Sequence, residues 1–255
     1  MTSGLARLAG RLAELHHGDR PLVLPNAWDA ASARAVERAG FGAVATSSGA
    51  LVRSLGYEDG SLAPAPEVFD AVGRIARSVA LPVTADLEDG YGLPADELVA
   101  RMLSAGVVGA NLEDSDHRGT EPLVPIRDQA ARLSAVRDAA RGAGVDLVIN
   151  ARVDVFLRAV GSPQERLERA LERCRAYLAA GATCVYPITA ADDETVAALV
   201  ERAGGPVNVM ARPDPADVDR LTRLGVARIS FGSGLARVLG RHLDELLGTL
   251  AGPAT

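Results

Sequence analysis

The chain has 255 residues, 48% of them hydrophobic and 24% charged, with a net charge of −6. That composition supports a sizeable core and excludes an extended basic face for nucleic acid. No apolar segment approaches membrane-spanning length, and the N-terminal "MTSGLARLAGRLAELHHG" interleaves Arg and Glu, unlike a secretory signal. The expected setting is cytoplasmic, with no nucleic-acid or membrane partner. Cys174 and Cys184 have no metal or redox spacing and read as free thiols. All 27 basic residues are Arg. Without lysine, no Schiff base can form with a ketone or with pyridoxal phosphate, so any carbanion chemistry needs another electron sink.

In chain order, residues 2–17 read as an amphipathic helix. From about residue 21 to 250, eight short apolar runs recur: "PLVLPNA" (21–27), "AVATSS" (43–48), "PVTADLE" (82–88), "GANLED" (109–114), "LVINARVD" (147–154), "TCVYPIT" (183–189), "PVNVMAR" (206–212) and "ARISFGS" (227–233). Between them lie helical patterns such as "DAASARAVERAG" and "SPQERLERALERCRAYLAAG", opening at Asp or Ser and closing at Gly. Strands alternating with helices imply parallel pairing through right-handed crossovers. Eight such units in one 255-residue domain predict an α/β fold, a (β/α)8 TIM-type barrel. A doubly wound sheet would want a Gly-rich loop after the first strand, and "LPNAWDAAS" is not one.

In such a barrel, chemistry gathers where the strands end. Along strand three, Thr84, Asp86 and Glu88 alternate with Val83, Ala85 and Leu87, so both acids are expected on one strand face toward the axis. Glu113 ends the adjacent strand, and Asp59 in "LGYEDGS" can reach the rim. Converging carboxylates raise one another's pKa, and a hard divalent cation relieves this. Asp86, Glu88 and Glu113 are therefore read as a Mg²⁺ site, with Mn²⁺ suited to similar ligands. Asp89 and Asp114 read as solvated loop acids or N-caps. Arg152 reads as a bidentate carboxylate clamp or as a salt-bridge partner of these acids. The "TSSG" turn, Ser47, Ser48 and Gly49, reads as an amide cradle for a carboxylate or as a simple helix cap. Trp28, the single tryptophan, reads as a pocket wall. His117 reads as a proton donor to an enolate or as an exposed loop histidine.

The ordered set "NAWDAASA", "ATSSGALVRSLGYEDG", "ADLEDGYG", "ANLED" and "NARVD" resembles the isocitrate lyase/phosphoenolpyruvate mutase superfamily, over about residues 22–247. The resemblance implies the same barrel, and dimers or tetramers built by swapping a C-terminal helix. It implies Asp86 as the direct Mg²⁺ ligand, with Glu88, Glu113 and Asp59 holding the metal's waters. It implies Arg152 as substrate clamp, Ser47, Ser48 and Gly49 as the cradle for a 2-oxo acid carboxylate, and Trp28 as a wall. Family enzymes make or consume an enolate with Mg²⁺ as electron sink, which suits a chain without lysine. One departure stands out. Isocitrate and methylisocitrate lyases carry a Lys-x-Cys-Gly-His gating loop after strand four. Here "EDSDHRGTEPLVP" is short and lacks Cys, which argues against ordinary isocitrate lyase activity. Three functions are expected in order: a Mg²⁺-dependent lyase or decarboxylase of a small 2-oxo or 2-hydroxy di- or tricarboxylic acid; a phosphonomutase or phosphonopyruvate hydrolase; and a non-catalytic carboxylate-binding homologue.

Overall fold

The computed structural model describes residues 2–58, 63–117, 119–190 and 192–251. Nine short parallel strands are found among them: β1 (Leu22–Leu24), β2 (Asn26–Ala27), β3 (Val44–Thr46), β4 (Val83–Asp86), β5 (Gly109–Glu113), β6 (Val148–Val153), β7 (Cys184–Pro187), β8 (Asn208–Met210) and β9 (Arg228–Ser230). They pair as β2-β3-β4-β5-β6-β7 and β1-β9-β8. A parallel bridge between Val185 and Val207 joins the two groups on one side. On the other side β1 and β2 belong to one run, divided at Pro25, whose ring removes a backbone donor. The first predicted strand is thus two segments that hand the ladder from β9 to β3, and the eight runs close into a barrel.

The strands are buried on both faces, as parallel strands under helices must be, which is why they read as apolar runs. Ala, Val and Leu from strands and helices form a single connected core. The N-terminal helix α1 (Thr2–Glu14) and the 3-10 turn Leu15–His17 pack against the barrel rather than lying free, burying Ala9, Leu12 and His16. Gly109 makes this docking feasible. A Cβ there would lie 2.9 Å from the Val148 carbonyl and 3.0 Å from both Leu12 Cδ2 and Thr84 Oγ1.

Three further helices bear on the site. Helix α2 (Ala30–Arg38) starts at Asp29, whose carboxylate accepts from Ser32 N–H in a capping box. Helix α3 (Ser48–Ser54) follows β3 directly, capped by Ser47. The last helix, α10 in chain order (Gly234–Ala251), follows β9 and buries only Gly234. Its Leu239, Leu243, Leu246, Leu247 and Leu250 are each at least half exposed.

Candidate active site

Parallel strands bring every C-terminal end to one rim, and Asp86, Glu113 and Arg152 all reach it. Register sets Asp86 beside Asn111, Asn111 beside Asn150, and Glu113 beside Arg152. Glu88 arrives by another route than expected. The strand ends at Asp86, so the two-residue alternation does not extend to Glu88. Leu87 N–H still bonds the Asn111 carbonyl, and then the backbone turns, with Glu88 at φ +52°. A non-glycine residue in that left-handed region costs of order 1 kcal/mol or more. Glu113 N–H donates to the Glu88 carbonyl at 2.9 Å and Gly90 N–H to Leu87, which lock the turn.

The charges of Glu113 and Asp86 act on Glu88. Glu88 is pushed up to about 7, first by burial and then by the charges of Glu113 and Asp86. Burial also pushes Glu113 up, opposed by Arg152 and His117. Arg152 Nη1 lies 2.5 Å from Glu113 Oε2, yet the approach is poorly aligned and leaves that buried oxygen without a directed hydrogen bond. The other edge of Arg152 is fully engaged: Nε donates to Asp154 Oδ1 at 2.7 Å and Nη2 to Oδ2 at 2.9 Å. Asp154 is 0% exposed and also accepts from Ser115 Oγ at 2.5 Å. Arg152 is thus ion-paired with both Asp154 and Glu113. His117 Nε2 sits 2.6 Å from Glu113 Oε1 and is raised above its ordinary range by that bond.

Asp86 is held from two sides. Ser48 donates to its Oδ2 through both the backbone N–H (3.2 Å) and the hydroxyl (2.7 Å), and Asn111 Nδ2 lies 3.5 Å from its Oδ1. The Ser48 amide thus faces Asp86. Ser47 accepts from Ala50 N–H, as a helix cap, and its hydroxyl contacts Ser233 Oγ at 2.9 Å. Gly49 is buried in the first turn of α3. Asp59 lies outside the described residues.

Other placements correct the sequence reading. Asp114 is not a solvated loop acid but fully buried, accepting from Asp154 N–H, Arg173 and the Tyr177 hydroxyl. Trp28 lines an apolar cavity of about 860 Å³ that also touches Pro213, Phe231, Leu235 and Leu239. This is the groove beside α10, so its wall is apolar surface and not the carboxylate cluster. Two tyrosines went unremarked. Tyr91, at φ +56° between two glycines, has a buried, unpartnered hydroxyl and is raised by burial and by Glu88, Asp86 and Glu113. Tyr186 is paired in register with Arg152 and is pushed up to about 12 by burial. The isolated aromatic of "GYG" was the available signal for the first.

Among the described residues, no three His, Cys, Asp or Glu side chains converge tightly enough to cage an ion by themselves. The donors are nevertheless carboxylate oxygens only, with one buried oxygen undirected and one acid, Glu88, raised by burial and then by the charges beside it. Such a set fits a hard cation that keeps most of its water and takes one direct protein ligand.

The sequence profile of the phosphoenolpyruvate phosphomutase family matches residues 12–250. The 2-methylisocitrate lyase of Bacillus subtilis is 31% identical over 193 residues, covering 72% of this chain and 61% of that one. A solved chain from Burkholderia cenocepacia superposes with a TM-score of 0.88 at 39% identity, over 94% of this chain and 98% of that one. Oxaloacetate acetylhydrolase in complex with its product oxalate superposes with a TM-score of 0.81 at 25% identity, over 95% of this chain and 86% of the other.

Proposed function

Because the chain belongs to the phosphoenolpyruvate phosphomutase family, within the isocitrate lyase/phosphoenolpyruvate mutase superfamily, we propose that it is a Mg²⁺-dependent lyase or decarboxylase. It would cleave a C–C bond of a small 2-oxo or 2-hydroxy di- or tricarboxylic acid by way of an enolate. The observation that carries this reading is the charge balance at the rim. Burial raises Glu88 and Glu113, the charge of Asp86 adds to both, and Arg152 is the buried cation set among them. Mg²⁺, or Mn²⁺ in its place, would be held by Asp86 directly and by Glu88, Glu113 and Asp59 through water. When bound it supplies the positive charge that an enolate oxygen requires.

The remaining roles belong to the chain. Asp154 fixes Arg152 by its Nε/Nη2 edge, which leaves the Nη1 end to exchange Glu113 for a substrate carboxylate. His117 and Glu113 are in hydrogen-bond contact at 2.6 Å, a pair that can hold a proton. From there His117 can protonate the enolate carbon, replacing the acid that the gating-loop Cys supplies in longer-loop relatives. The turn of Ser47, Ser48 and Gly49 supports Asp86 and borders the substrate carboxylate.

The stripe of exposed leucines on α10, beside the apolar groove walled by Trp28, supports a homodimer or homotetramer in which the helix is exchanged between subunits. No described helix is long and apolar enough to cross a membrane, and we place the enzyme in the cytoplasm.

The test is turnover of a panel of 2-oxo and 2-hydroxy acids with Mg²⁺, followed by proton NMR, alongside phosphonopyruvate followed by phosphorus NMR. Carbon–carbon cleavage lost in Asp86→Ala supports the reading. Turnover of phosphonopyruvate alone would replace it with phosphonate chemistry, the reading favoured by the name of the matching family. Full metal-dependent turnover by Asp86→Ala would show the site to be wrongly placed.

A further inference from the structure

Beneath the carboxylates lies a second, unexpected charge. Arg228 opens β9 inside the barrel and is 0% exposed. A guanidinium in that position is costly unless its donors are used. Yet among its nitrogens Nε and Nη1 have no hydrogen-bond partner, and Nη2 donates to Asn111 Oδ1 at 3.2 Å. Among the described residues, Cys184, Tyr186 and Asp86 couple to it by charge, and Asp86 is the carboxylate of the three. His16, packed from below, is a further neighbour, and burial followed by Arg228 itself drives it down to about 4, neutral in the ordinary range.

The chemistry of the contact has one consequence. Guanidinium nitrogens only donate. The Asn111 side chain must therefore present its oxygen to Arg228, and its NH₂ is left facing Asp86 Oδ1. Asn150 Nδ2 donates to the same Asn111 oxygen at 2.8 Å, which leaves Asn150 Oδ1 buried and unpartnered. That orphaned oxygen is the cost of an amide pair whose direction is imposed from outside it. With an acceptor in place of Arg228, Asn111 would be free to turn its oxygen toward the carboxylate and repel it.

We infer that Arg228 is a positioning residue for metal binding: through the Asn111 amide it aims a donor at Asp86 and holds that carboxylate in the orientation that receives the cation. The inference rests on the reading of Asp86 as metal ligand. Arg228 touches neither substrate nor cation, and acts from the barrel interior.

The experiment is titration of the full chain with Mn²⁺, counting the free ion by EPR, with thermal melting on each variant. Arg228→Lys keeps a cation that can only donate, and its Mn²⁺ Kd stays within about threefold of the unmodified chain. Arg228→Met removes every donor, and its Kd weakens at least about tenfold although the barrel still melts cooperatively. Equal affinity in Arg228→Met and the unmodified chain, or equal loss in both variants, overturns the inference. If neither variant folds, Asn150→Ala decides, since Arg228 then sets the amide alone. A Kd within about threefold supports the inference, and a loss of about tenfold assigns the orientation to Asn150 and overturns it. No Mn²⁺ binding by the unmodified chain overturns the metal reading itself, which is a separate result.

Discussion

Glu88 offers a sensitive probe of the carboxylate cluster, because its folded-state value lies well above its unfolded one. Replacing it by Gln removes the charge and keeps the shape. Moving a glutamate from 4.5 to about 7 corresponds to about 3 kcal/mol at 1.36 kcal/mol for each pH unit. The side chain is only partly buried, so solvent screening reduces this to about 2 kcal/mol. The sign follows from proton binding. Between 4.5 and about 7 the native state holds a proton that the unfolded chain has released, so stability falls as pH rises through that window. Below it the penalty is absent, and above it the penalty is complete. Without metal, Glu88→Gln and the unmodified chain should melt together near pH 4.5. At pH 8 the variant should melt higher by roughly 4–8 °C, taking about 2–4 °C per kcal/mol for a chain of this size. Thermal melts from pH 4.5 to 8 check this. Adding Mg²⁺ at pH 8 should close the gap by stabilising the unmodified chain more. A difference that does not change with pH, or a variant that is less stable at pH 8, would refute the coupling of these acids.

Two other outcomes follow from the same geometry. Asp154→Ala leaves a buried Arg152 without its bidentate partner, which should cost about 3–5 kcal/mol and lower Tm on the order of 10 °C; a fall under about 3 °C would show that Glu113 alone suffices. Glutamates at Leu239 and Leu246, on the exposed face of α10, should convert an oligomer to monomers in light scattering after size exclusion, with melting little changed. An unchanged mass would place the interface elsewhere.

The barrel was legible because buried parallel strands must be apolar and their connecting helices must be capped, so each run and each turn is marked in the sequence. The rim positions of Asp86, Glu113 and Arg152 followed from strand parity. Glu88 did not, because its left-handed turn lies two residues ahead of the glycine that usually marks one. The Asp114 site was invisible for a different reason. Its partners Arg173 and Tyr177 lie 59 and 63 residues away, and no local period records such a pairing. Arg228 interrupts an apolar run between Ala227 and Ile229, and reading only the strand ends passed over it. Trp28 follows a strand directly, but what it faces is set by α2 and α10, which the strand pattern cannot specify.

The central claim is that these acids hold a cation and that the cation, with Arg152, holds an enolate. Oxalate mimics the enolate of pyruvate, and it is the product bound in the related oxaloacetate acetylhydrolase structure. The most direct measurement is the melting temperature with Mg²⁺ alone, oxalate alone, and both together. A large upward shift that requires both is expected, because each completes the other's site. No shift beyond that of either alone would contradict it, and would leave the carboxylates of "ADLEDGYG" without the ligand proposed for them.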